Sequence, residues 1–112
     1  MVKSISLLKR KDGITHEEFV RHWVEVHAPL AHAVPRLKRY VQSHIVEERT
    51  RPDIPNMEFE IDGIAESWYD SIEDMRFANA SAETKRLRDD GATFIGRIKM
   101  FTIEEKLIVP RS

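Results

Sequence analysis

Few side chains in this 112-residue chain can move a proton near neutral pH, and His27, in the segment His27-Ala28-Pro29-Leu30-Ala31, stands out among them. A neutral imidazole takes a proton from one atom and returns it to another, which is the step an isomerase or lyase requires. Phe19, Trp23 and His27 recur at i, i+4 and i+8, so His27 is expected on the apolar face of a helix. Burial there lowers the imidazole pKa and keeps the ring a base. The competing role is a structural histidine whose ring nitrogens are satisfied at the helix end. Tyr40 is the second candidate: a phenol can donate a hydrogen bond to a developing enolate or to a carboxylate, with core packing as its alternative use. His44 follows two pleats along the same strand face, either as a binder of a substrate carboxylate or as an exposed edge residue. Asp62 and Glu66 share a strand face with Ile64 and Trp68. A carboxylate there could orient His27 or act as a second base, although strand carboxylates are more often solvated or paired with Lys or Arg. Trp23 and Trp68 are expected in the core or in a pocket wall, and an aromatic wall suits a planar ring substrate.

Other chemistries are poorly served. There is no cysteine, which excludes disulfides, thiolate catalysis and Cys-ligated zinc or iron–sulfur centres. His22, His27 and His32 invite a metal reading, but steps of five residues advance about 140° around an α-helix, so the three do not share a face. No His-Glu-x-x-His pattern is present, and the four glycines form no phosphate-binding loop. Eighteen basic residues against nineteen acidic ones leave a formal charge of −1, with no basic excess to attract nucleic acid or an anionic membrane. Arg86, Arg88, Arg97 and Lys99 read as a solvated surface rather than an anion site. No apolar run approaches the length of a membrane span, the apolar stretch near Met1 is too short for a signal peptide, and cytoplasmic residence is the expectation.

The elements that must position these residues follow from local signals. A single domain is expected over 1–112. A strand covers 3–9, Lys11-Asp12-Gly13 turns, and Thr15 with Glu18 forms a capping box that starts a helix near His16. Pro29 should end or kink that helix, and Pro35 interrupts again. Strands are expected over 38–48 and 58–69, separated by a Pro-rich loop over 49–57. Ser71 caps a second helix, and Ser81 caps a further helical segment running to about Asp90. Gly91 and Gly96 bracket a loop before a last strand over 97–106. The order β-α-β-β-α-β is an α+β, ferredoxin-like arrangement with a four-stranded antiparallel sheet. Two helices cover one face of such a sheet, yet apolar residues occupy both: Tyr40 and Val46 oppose Val41 and Ile45, and Ile98 and Met100 oppose Phe101 and Ile103. A second copy is the simplest cover, so a homodimer packed sheet to sheet is expected.

Three stretches carry a family resemblance: Phe19 through Ala31, Pro35 through Gln42, and Ile61 through Asp70. At these separations they resemble the EthD family of the dimeric α+β barrel superfamily, over nearly the whole chain. The resemblance implies a ferredoxin-like subunit whose sheet pairs with that of its mate to form a barrel. It also implies a role in the breakdown of ethers and aromatic compounds or in polyketide pathways. The family's best-defined bacterial activity is the cofactor-free isomerisation of a ring-cleavage lactone, methylmuconolactone, and His27 and Tyr40 match its histidine and tyrosine positions. The expectation is therefore a cofactor-independent isomerase, or a related lyase, acting on a small aromatic-derived lactone or a phenolic or polyketide acid. In that reading His27 and Tyr40 are catalytic, and Trp23, His44, Asp62, Glu66 and Trp68 contact the substrate, with no metal and no cofactor. Two alternatives stay open: a haem-binding or haem-degrading barrel protein, as some members of the superfamily are, and a non-catalytic small-molecule-binding auxiliary protein.

Overall fold

In the computed structural model, which describes residues 1–111, small and apolar side chains alternate along the central strand β1 (Val2–Arg10). It pairs antiparallel with β3 (Gly63–Tyr69) on one side and β4 (Ile95–Glu104) on the other. β2 (Arg39–His44) adds to the outer edge of β3, giving the order β2-β3-β1-β4 of a ferredoxin-like α+β subunit. Both strands flanking the Pro-rich loop are shorter than the sequence suggested. Ladder partners exist only from Arg39 opposite Trp68 to His44 opposite Gly63. Beyond Gly63 the chain is anchored to the other neighbour instead, with the Asp62 N–H donating to Leu8 O at 2.7 Å. The intervening residues leave the sheet, with Val46, Met57 and Phe59 exposed.

Thr15 caps the first helix as expected, its Oγ1 accepting the Glu18 N–H at 3.1 Å. α1 (His16–His22) does not end at Pro29. It passes through a π-helical turn (Trp23–His27) into α2 (Ala28–Ala31). Proline offers no N–H, and its ring crowds the carbonyl four residues back. The chain answers by widening the preceding turn, so that the Ala28 N–H reaches Trp23 O, five residues behind. α3 (Ile72–Asn79) and α4 (Ala82–Phe94) begin at Ser71 and Ser81, whose hydroxyls accept the N–H groups of Asp74 and Thr84. α4 runs through Gly91, where a loop was expected, and leads directly into β4. Glycine costs about 1 kcal/mol in a helix interior; at Gly91 the backbone faces the His27 ring, and an added Cβ would meet His27 Cε1 at 3.6 Å, ordinary contact distance.

All helices lie on one sheet face. Leu8 packs with Phe19, Trp23 and Phe94 in one cluster, and Tyr69 with Val34, Met75 and Ala78 in another. Trp23 lies over Gly63, where any Cβ would come within 2.5 Å of its ring. The opposite face carries Ile5, Leu7, Val41, Ile64, Phe101 and Ile103, and among the described residues no helix or strand covers it.

Candidate active site

The π-helical turn decides the geometry around His27. On an α-helix, His22 and His27 would point about 140° apart. The extra residue in this turn brings them back to one side, and both reach the same carboxylate. His27 Nδ1 lies 2.8 Å from Asp90 Oδ2, and His22 Nε2 lies 3.0 Å from Asp90 Oδ1. An ionised carboxylate only accepts hydrogen bonds, so both ring nitrogens are N–H donors there. That fixes the His27 tautomer: Nδ1 carries the proton and Nε2 keeps its lone pair. Phe94 holds the arrangement in place, meeting the His27 ring edge-on at 5.2 Å between centroids and the His22 ring at 4.5 Å. His27 is 7% exposed. Its pKa is lowered, because burial disfavours the imidazolium more than the hydrogen bond and charge of Asp90 favour it; His22 adds a smaller downward push.

His27 opens onto a cavity of about 510 Å³ between the helices and the sheet. That is within the usual range for a small-molecule site. Leu8, Val34, Leu37, Leu87 and Ile95 make much of its wall apolar; Ser4, Ser6, Ser67 and Tyr40 supply hydroxyls from the sheet floor. Burial raises the Tyr40 pKa, against the weaker opposing pull of the Gln42 amide and the Trp23 indole, so the phenol stays protonated. Gln42 Nε2 donates to the Tyr40 hydroxyl at 3.3 Å and to Trp23 O at 2.9 Å. The phenol oxygen is thus already an acceptor, which leaves its O–H to donate elsewhere. Trp23 is 0% exposed, and its indole N–H is the one buried side-chain polar atom among the described residues with no hydrogen-bond partner.

The structure brings His27, Tyr40 and Trp23 to this cavity and places the other sequence candidates elsewhere. His44 shares the helix-covered face but stacks on Trp23 at 5.0 Å, outside the lining. Asp62 is 3% exposed and clamps Arg10 and His16, at 2.6 and 2.9 Å from one carboxylate oxygen, and the Arg10 N–H at 2.7 Å from the other. It cannot also orient His27. Glu66 and Trp68 lie on the uncovered face, since alternate residues of β3 point to opposite sides. There Glu66 pairs with Lys3, and the Trp68 indole N–H donates to Glu105 at 2.7 Å. The carboxylate that does orient His27 is Asp90, which no local pattern marked: its partners are 68 and 63 residues away in sequence. Among the described residues, no group of three or more His, Asp or Glu side chains is arranged to hold a metal ion, and no helix is long and apolar enough to cross a membrane.

Comparison with known proteins gives the same architecture and a chemical lead. The EthD domain model matches residues 11–98. A 4-carboxymethyl-4-methylbutenolide mutase from Pseudomonas reinekei is 29% identical over 106 residues, covering 94% of this chain and 98% of that protein. Among solved structures, an EthD family protein from Bacillus halodurans superposes with a TM-score of 0.77 at 27% identity, over 95% of this chain and 99% of the other. A dimeric ferredoxin-like protein from Thermobifida fusca does so with a TM-score of 0.68 at 15% identity, over 91% and 88% of the two chains.

Proposed function

The chain belongs to the EthD family, and from that premise we propose that it is a cofactor-independent isomerase, or a related lyase, acting on a small aromatic-derived lactone or a phenolic or polyketide acid. The observation that carries this reading is the His27 ring: Nδ1–H donates to Asp90, and Nε2 is left as a base at the wall of a cavity. The relative's activity on a butenolide supports a lactone as the substrate type.

In the isomerase case, His27 Nε2 removes a proton from the carbon next to a carbonyl. The electron pair moves onto the carbonyl oxygen as an enolate. The Tyr40 O–H donates to that oxygen. The imidazolium, held by Asp90, then returns the proton to the far carbon of a C=C conjugated with the enolate, so that the double bond shifts. Nothing is consumed, so the cycle needs no co-reactant. A low pKa suits His27 to this task, since the ring must be neutral before each turnover.

We also propose that the chain works as a homodimer packed through the open sheet face. Phe101 is 45% exposed there beside Ile5 and Ile103, and the Thermobifida fusca neighbour of the same fold is itself dimeric. His27→Ala tests the catalytic reading: turnover of a butenolide substrate should be lost in a folded protein, and full turnover by that variant would sink the assignment.

A further inference from the structure

The cavity is electrically uneven. Arg88 projects from α4 and is the only permanently charged side chain in the lining, which contains no carboxylate. Arg88 forms no ion pair among the described residues, unlike Arg10, Arg36 and Arg51. From the sequence it read as solvated surface; its position on the helix face that borders the cavity gives it another use. Its nearby phenol is Tyr69, whose pKa burial raises while the Ser67 hydroxyl and the Arg88 charge pull it down. The opposite charge lies at the His27 end, where Asp90 backs the imidazole. Arg88 precedes Gly91, the residue against the His27 ring, by three positions, a rise of about 4.5 Å along the helix. The two groups can therefore act on opposite ends of one small molecule.

We propose that Arg88 anchors a substrate carboxylate, so that the substrate is an anionic acid held with its carboxylate at Arg88 and its labile C–H at His27. A guanidinium matches a carboxylate with two parallel N–H donors. The charge across the cavity sets the orientation, because a carboxylate at the other end would face a neutral imidazole with Asp90 behind it instead of a guanidinium. The apolar walls between the two ends then select the ring. This assignment rests on the reading of the cavity as the active site.

The test is calorimetric binding of 4-carboxymethylbutenolide and of its methyl ester, a near-isosteric neutral partner, to the full chain and to Arg88→Gln and Arg88→Lys. Wild type should bind the acid at least about tenfold more tightly than the ester. Arg88→Gln should bring the ratio close to one with ester affinity retained, and Arg88→Lys should restore part of it. Thermal unfolding of each variant controls for folding, and Arg88 is exposed enough at the cavity mouth for the fold to survive its loss. An unchanged ratio in Arg88→Gln, or no preference for the acid in wild type, or binding of neither probe, overturns the proposal. The catalytic reading is judged separately by turnover of His27→Ala, so either can fail while the other stands.

Discussion

Replacing Asp90 with Asn keeps the shape of the side chain and removes its charge. In the native site one carboxylate accepts from both His22 and His27, at 3.0 and 2.8 Å. An amide has one acceptor oxygen and one donor nitrogen, so it can serve one histidine as before and must face the other with N–H groups. A hydrogen bond to a charged partner contributes about 1.5–3 kcal/mol. In catalysis that contribution is largest when His27 is the imidazolium, so its loss falls on the transition state. At 1.36 kcal/mol per tenfold, kcat should drop about 10- to 150-fold. The pH profile gives the decisive sign. Asp90 raises the His27 pKa against the larger downward effect of burial. Without it the pKa falls further, and the acid limb of kcat/KM, where the base becomes protonated, should move to lower pH while the plateau falls. A purely structural role for Asp90 would leave the limb in place. A limb that moved upward, or an unchanged plateau in a folded variant, would refute the reasoning.

Tyr40→Phe should lower kcat by about 10²–10³ if the phenol is an oxyanion donor, with KM changing far less; steady-state kinetics on a butenolide separates the two. Asp62 has its pKa lowered: burial opposes ionisation, but the hydrogen bonds from Arg10 and His16 outweigh it. Its stabilisation is present above the unfolded-state value near 4 and is lost as pH falls through the lower folded value. Asp62→Asn should therefore cost about 1–3 kcal/mol at pH 7 and progressively less as pH falls below about 4, as read by denaturant unfolding across that range. Phe101→Lys puts a charge into the sheet face proposed to meet the second subunit, and light scattering should show the mass fall from dimer to monomer.

The chain's local signals placed most elements. Thr15, Ser71 and Ser81 mark helix starts because a hydroxyl acceptor at the first turn is a short-range device. His27 was legible as a cavity residue because the helix period puts it on the apolar face with Phe19 and Trp23; Tyr40 was marked by its phenol and the family resemblance, not by the strand period. Pro29 was expected to end or kink the helix; the regular α-helix is interrupted there, by a wider turn rather than by an end, and the same turn aligned His22 with His27. Asp62 and Glu66 illustrate a second limit. Period-two alternation correctly grouped the even positions of β3 but could not tell which sheet face the helices would cover. Asp90 shows a third: its role exists only once α4 has packed against the π-helical turn, and Gly91 beside it read as a loop boundary when it lies inside α4, facing the His27 ring.

The most direct measurement is deuterium wash-in. Incubating the protein with 4-carboxymethylbut-3-en-4-olide, whose ring CH2 lies next to the carbonyl, in D2O and following that carbon by proton NMR reports proton abstraction, whether or not isomerisation completes. Wild type should place deuterium at that carbon, and folded His27→Ala should not do so above the uncatalysed rate. Equal wash-in by both proteins, or none by wild type, would contradict the assignment of His27 as the base.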